Sequence, residues 1–405
     1  MNTQHDELET LLGAGLRDRA TDVDGTWVDL PGVRGRATSI RRRRRVMAGV
    51  GVAAALALFA PLAVSVTGVL QADREVLPAP PAPTELVRTT LTLADLERGD
   101  DPGIEYFTAD GVVLPDRGLQ PLESSLQALV PSDVDGGWLA VGPAGDEVLG
   151  LSEDFVENSA RPTTGGIVSN PDRSLVAWTT PGPDAQTLVL HSTTDPSVDT
   201  EWDFARTSQV DPVGFTGVGS LLFQSRGQDG SQEIGIASPD GTTSVLDGDY
   251  VKAISADPTT GRIAVQTKSR ADLSSCSAVL DPTGATIEWE TCDFLLGAFS
   301  PDGRHVLASD PVQSGLGMGS LSVLDAATGR LVASFEQPRR GRLILVGGVA
   351  WESDSTIIAG ALEGTSTTLL RLGVDGTLEE TVEPVENDPN TDLAFFLGQD
   401  RRRGF

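Results

Sequence analysis

The 405-residue chain is poor in the side chains that most often carry chemistry. It has three histidines (His5, His191, His305), two lysines (Lys252, Lys268) and two cysteines (Cys276, Cys292). So little histidine argues against a multi-histidine metal site and against most histidine-based catalysis. Neither lysine follows a glycine-rich loop, which excludes a P-loop. No GxSxG elbow occurs, so an appended α/β-hydrolase domain is not expected. No HExxH motif occurs, and no Ser-x-Asp-x-Gly-x-Thr-Trp box of the sialidase kind. No cofactor-binding or metal-ligand motif stands out. Basic charge is also scarce beyond the first 45 residues. Residues 71–405 carry 21 basic and 51 acidic residues, and the whole chain has a formal charge of −28. A body this acidic repels phosphate backbones, so no nucleic-acid partner is expected.

What is present indicates a folded, turn-rich body. Hydrophobic residues make up 39%, enough for a packed core. The 45 glycines and 25 prolines favour many turns over long helices.

Residues 46–70, VMAGVGVAAALALFAPLAVSVTGVL, hold no charge. About 20 apolar residues span a bilayer core as a helix. Directly before them stand Arg41, Arg42, Arg43, Arg44 and Arg45. The positive-inside rule then keeps residues 1–45 in the cytoplasm and exports the rest. The expectation is a single-pass cell-membrane protein with 1–45 as cytoplasmic tail, 46–70 as transmembrane helix, 71–84 as Pro-rich linker and 85–405 as extracytoplasmic domain. The competing readings are a cleaved or twin-arginine export signal and a buried core helix. In the tail, Leu8, Leu11, Leu12 and Leu16 fall on one face of a helix over 6–20. That short amphipathic helix is either a marginal tail or a docking element for a cytoplasmic protein. Residues 77–84, LPAPPAPT, form a stiff spacer.

From residue 85 short apolar runs alternate with turns. Turns at about 135, 172, 218, 260, 302 and 353 each precede a buried-looking strand. A second set lies between them, from 116–118 to 374–376, seven turns in all. Each unit of some forty residues thus holds four short strands and two turns, the signature of a β-propeller blade. The clearest unit is 296–336, with Ser300-Pro301-Asp302-Gly303 as a type I turn and Gly329 at a left-handed position. The first unit has strands at 104–107, 112–114 and 119–122 and lacks an inner one, while a spare strand, 393–397, sits at the C-terminus. Ring closure by that strand hides sheet edges. The fold class expected is all-β, a seven-bladed β-propeller, with six or eight blades as alternatives, preceded by one transmembrane helix.

FSPDGRHVLAS (299–309) and LSVLDAATGRLVASF (321–335) resemble the hairpins of WD-repeat and TolB-like propellers. The Trp-Asp signature itself reads Leu324-Asp325. The layout as a whole is similar to single-pass, propeller-bearing membrane proteins of actinobacteria. That resemblance implies a scaffold or binding role and transfers no catalytic residue.

Cys276 and Cys292 lie 16 residues apart within one predicted blade. In an oxidising compartment such a pair forms a disulfide, the alternative being two buried free thiols. His191 and His305 sit in strand-like runs and read as ordinary strand histidines. Trp138, Trp178 and Trp351 read as blade packing, and Asp172, Asp240, Asp302 and Asp325 as turn caps. Three functions follow from the sequence. The first is a non-catalytic binding or scaffold module of the envelope, whose protein or envelope ligand the residues do not name. The second is an anti-sigma-like transmembrane regulator with its partner on helix 6–20. The third is a hydrolase- or lactonase-like propeller using carboxylates and a divalent ion.

Overall fold

The computed structural model describes residues 86–398, apart from breaks at 123–124, 196, 198, 206, 218, 270–274, 312–316, 338–342 and 387–393. All described residues belong to one compact unit spanning 81–405. The amphipathic segment 6–20, the arginine run 41–45, the apolar segment 46–70 and the linker 71–84 lie outside them. Among the described residues no helix is long and apolar enough to cross a membrane.

Seven sheets, antiparallel within each repeat, follow one another as blades. Blades 2 to 5 each take four consecutive strands, from Ala128–Ser132 through Ile287–Thr291. Blade 6 runs Leu295–Phe299, His305–Ser309, Ser320–Asp325 and Leu331–Glu336, within a residue of the boundaries read from the turns. Blade 7 begins at Leu343–Trp351 and ends in two short outer strands, Leu378–Glu380 and Val385–Glu386. Blade 1 is composite. Its second to outer strands are Tyr106–Thr108, Gly111–Leu114 and Gly118–Pro121, and its inner strand is the C-terminal Phe395–Leu397. Tyr106 pairs with Leu397 and Thr108 with Phe395, so the last described strand closes the first blade.

The core is a ring of seven apolar slabs, one between each pair of neighbouring blades. The period-two alternation of strands produces them. In blade 5, Ile263 and Val265 pack toward blade 4, while Ala264 between them packs toward blade 6. Both faces of every blade are therefore covered, and the middle strands read as continuous apolar runs. Turn chemistry sets the spacing between slabs. Gly329 adopts φ +68° after Asp325, which caps Thr328 through its amide (2.9 Å) and hydroxyl (2.6 Å). A Cβ at Gly329 would lie 2.7 Å from the Trp289 ring of blade 5, whose indole N–H donates to the Ala326 carbonyl at 2.8 Å. Glycine there serves both the turn and the seating of one blade on the next.

Cys276 and Cys292 are joined in a disulfide that links the third strand of blade 5 to the residue just past its outer strand, Ile287–Thr291. Cys276 is buried. In the chain-entropy view a bridge closing a loop of this length contributes about 3 kcal/mol. Replacing both cysteines with serine is expected to lower the denaturant midpoint accordingly and to steepen the transition, because the unfolded chain expands. An unchanged midpoint would show that the hairpin hydrogen bonds alone hold this edge.

One strand lies outside the forty-residue repeats. Val87–Thr90 is a fifth strand on the outer edge of blade 6, and the chain then crosses blade 7 to reach blade 1. Leu91 is fully buried between blades 6 and 7, with Leu93 and Leu96 packed against the same slab. The run VRTTLTL alternates β-branched or apolar residues with polar ones, the signal from which this strand is legible.

Candidate functional site

Four-stranded antiparallel blades put two kinds of turn on each face of the ring. The face carrying the first-to-second and third-to-outer turns, called the lower face below, is rich in carboxylates. Most serve their own turns. Asp172, Asp195, Asp229 and Asp240 each accept the hydroxyl and the amide of the Ser or Thr two residues on, at 2.6 to 3.0 Å. Those bonds hold the four carboxyls below the usual range. Asp302 instead accepts the hydroxyl of Ser300 before it (2.7 Å) and the amide of Arg304 after it (3.1 Å), and Asp325 accepts the amide and hydroxyl of Thr328 three residues on. The four turn caps expected from the sequence are thus all found, and Asp229, on the opposite face, shows the motif belongs to the turns rather than to one surface.

One polar cluster on the lower face joins blades 2 and 3. His191 is the penultimate residue of the third strand of blade 3, Ala185–Ser192, and its side chain is 3% exposed. Its Nε2 lies 3.0 Å from Asp135 Oδ2 and its Nδ1 3.0 Å from Asp199 Oδ2. Asp135 comes from the first turn of blade 2. It also accepts the Ser132 hydroxyl at 2.7 Å and Arg161 Nη2 at 3.2 Å. The Arg161 guanidinium lies 5.6 Å over the Trp178 ring, which meets His191 edge-on at 5.7 Å. Val134 N–H donates to the Thr193 carbonyl at 3.1 Å, so backbone and side chains fasten the same two blades.

The charges follow from these contacts. Burial alone would lower the His191 pKa, but hydrogen bonds to Asp135 and Asp199 outweigh it and raise it. Burial would raise Asp135, but the bonds from His191 and Ser132 and the charges of His191 and Arg161 lower it. A raised histidine stabilises fully below its unfolded pKa, about 6.5, and that contribution is lost as pH climbs through the folded value. A depressed aspartate stabilises above about 3.9 and loses its contribution as pH falls through the folded value. Stability is therefore expected to decline above pH ~6.5 because of this cluster. Denaturant midpoints from pH 5 to 9 check it: a decline of equal slope in His191→Gln would refute the assignment.

Serine, histidine and aspartate meet here without forming a nucleophile–base pair. The Ser132 hydroxyl is directed at Asp135, and both His191 nitrogens face carboxylates that lie on different blades. Each ring nitrogen is thus already engaged by a carboxylate. Among the described residues no three His, Cys, Asp or Glu side chains form a set able to hold a metal ion. His305 does not join His191. It belongs to blade 6 and stacks on Trp351 at 6.3 Å. Trp138 stacks on Phe155 at 5.5 Å, and Trp178 and Trp351 are buried between blades, as packing residues.

Two further contacts tie non-sequential parts of this face. Arg173 of blade 3 reaches Glu105 of blade 1, its Nη2 lying 2.8 and 2.7 Å from the two carboxylate oxygens and bridging past blade 2. Arg371 of blade 7 uses all five of its N–H donors: on both oxygens of Glu352 (2.6 and 2.8 Å), on Glu379 (3.3 Å), and on the carbonyls of Asp100 (3.2 Å) and Asp101 (3.1 Å). Glu352 holds the Arg371 charge so firmly that its pKa is raised above the ordinary arginine value. No sequence motif marked either arginine.

The opposite, upper face carries a small cavity of about 90 Å³ on blade 1, lined by Phe107, Thr108, Gly111, Leu122, Leu126 and Phe396. Phe107 stacks on Phe396 at 5.0 Å, joining the composite blade's second strand to its C-terminal inner strand.

The chain is a seven-bladed β-propeller. No family model and no curated protein matches it. Solved structures of similar fold include a prolyl endopeptidase (14% identity, 73% of this chain and 48% of that one, TM-score 0.48). Others are hydrazine synthase of Kuenenia stuttgartiensis (12%, 76% and 100%, TM-score 0.45) and TolB of Acinetobacter baumannii (13%, 66% and 65%, TM-score 0.38). The chain spans about half the length of the endopeptidase and about two thirds of TolB. These likenesses concern the fold alone.

Proposed function

We propose that this protein is a membrane-anchored, extracytoplasmic β-propeller that acts as a non-catalytic binding or scaffold module of the cell envelope. One observation carries the non-catalytic reading. The cluster that brings serine, histidine and aspartate together is consumed in fastening blades 2 and 3, with His191 between two carboxylates. The location reading is supported by the uncharged segment 46–70 behind five arginines and by the Cys276–Cys292 disulfide, which suits an oxidising compartment. Binding then falls to the loops of the ring. The amphipathic face of 6–20 supports a second reading, in which a cytoplasmic protein docks on the tail and the propeller senses outside.

In-cell cross-linking of the full-length chain, with photo-reactive residues placed either in the ring loops or in 6–20, tests both readings. Envelope or extracellular partners on the ring loops support the first, and a cytosolic partner on 6–20 supports the second. A purified chain that turns over an envelope substrate and loses that turnover on Asp135→Asn would overturn the non-catalytic reading.

A further inference from the structure

All the ladders within the seven repeats are antiparallel, but the strand that completes the edge of blade 6 comes from elsewhere. Val87–Thr90 runs parallel to Leu331–Glu336, from Val87 opposite Ala333 to Thr90 opposite Glu336. Its side chains alternate between half-buried and exposed. Val87 and Thr89 sit over Gly376 in the third-to-outer turn of blade 7. A Cβ at Gly376 would lie 2.5 Å from Val87 Cγ1 and 3.0 Å from Thr89 Oγ1, and the Thr89 hydroxyl donates to the Gly376 carbonyl at 3.0 Å. Gly376 itself has φ +91°. A sheet edge on one side and a glycine floor on the other make a recess shaped for one extended strand.

The hold on the segment is uneven. Leu91 is fully buried, and Arg371 clasps the carbonyls of Asp100 and Asp101. Before Leu91 there are four paired residues, in the slightly weaker parallel mode, and an exposed Arg88–Glu336 contact at 3.4 Å. Val87–Thr90 can therefore peel away while Leu91–Gly103 stays fixed.

We propose that the outer edge of blade 6 is a strand-docking groove, filled in cis by Val87–Thr90 and open in trans to an extended segment of a partner protein once that strand is displaced. The incoming segment runs parallel to Leu331–Glu336. It places a small β-branched residue where Val87 sits, a hydroxyl where Thr89 meets the Gly376 carbonyl, and a basic residue on the outward side facing Glu336. Main-chain pairing supplies affinity and the two inward positions supply selectivity. This deepens the binding-module reading, yet its test needs no natural partner.

The test uses the full-length chain in detergent and a fluorescent peptide of residues 84–90, TELVRTT. In the unmodified chain the cis strand competes at millimolar effective concentration, so the peptide binds weakly. The double substitution Val87→Glu and Thr89→Glu puts carboxylates on the inward face, against the Gly376 floor and the side of buried Ala333 and Phe335, and releases the strand. Peptide affinity is expected to rise at least tenfold, with slowed hydrogen exchange at Leu331–Glu336. Adding Gly376→Val fills the floor and removes the binding. Binding that survives Gly376→Val, no gain on release, or dimerisation of the released chain in place of peptide binding would each overturn the proposal. Hydrogen exchange of the unmodified chain gives an independent reading: Leu331–Glu336 should exchange faster than Val306–Ala308 of the same blade, and equal protection would refute a displaceable strand. A groove that binds the peptide while cross-linking finds no partner would sink the binding-module reading and leave the groove standing.

Discussion

Replacing Arg371 with methionine is expected to destabilise the propeller by about 3–5 kcal/mol, the cost of breaking a buried ion pair from one side. The partner left behind is Glu352, whose side chain is 12% exposed and whose carboxyl is held low by Arg371 and by the Gly103 amide. The loss extends beyond one pair. Arg371 also holds the carbonyls of Asp100 and Asp101, so its removal frees the segment by which the chain passes from blade 7 into blade 1. Arg371→Lys keeps the charge but cannot reproduce a planar fork with five donors, and should fall between the two. Arg88→Met is the control. Arg88 and Glu336 are 65% and 55% exposed, and their pair should be worth less than about 1 kcal/mol. Denaturant midpoints at unchanged slope read all three. If Arg371→Met costs no more than Arg88→Met, the clasp does not hold the seam.

Removing Asp135 should be nearly as damaging. Asp135→Ala takes away the shared acceptor of His191, Ser132 and Arg161, leaving two buried donors short of a partner. The expected loss is about 3–5 kcal/mol. Asp199→Ala should cost far less, about 1 kcal/mol, because the Asp199 side chain is 43% exposed and water replaces it. The pH dependence separates this from a generic core defect. With Asp135 gone the His191 pKa falls back toward its ordinary value, so the decline in stability above pH ~6.5 flattens. An Asp135→Ala variant that is destabilised yet keeps the full decline would show that His191 draws its charge from elsewhere.

Acid should weaken the whole ring for a related reason. Carboxyls held low by local bonds, from Asp172 in blade 3 to Asp375 in blade 7, contribute above pH ~4 and lose that contribution as they protonate.

Much of this architecture was legible from the chain alone. Turn residues and period-two strands are local properties, encoded within each unit of some forty residues. Blade 6 could therefore be bounded almost to the residue, and the turn aspartates named as caps. The closure of blade 1 was also readable, because a unit missing its inner strand and a spare C-terminal strand leave one economical pairing. The disulfide followed from two cysteines placed 16 residues apart in one unit. The segment 87–103 lay within reach of the same reasoning, through the alternation of VRTTLTL, but nothing in that pattern says which blade receives it.

What the tertiary structure alone decided is the set of contacts between blades. His191 meets Asp135 across 56 residues, Arg173 meets Glu105 across 68, and Arg371 meets Asp101 across 270. None of these separations is a multiple that the repeat enforces. They depend on how far each blade is rotated against the next and on which turn the ring's curvature brings under which side chain. A sequence specifies turns and strand faces through near neighbours, within a few residues. The pairing of charges across a closed ring is settled only when the seven apolar slabs have packed and fixed that rotation.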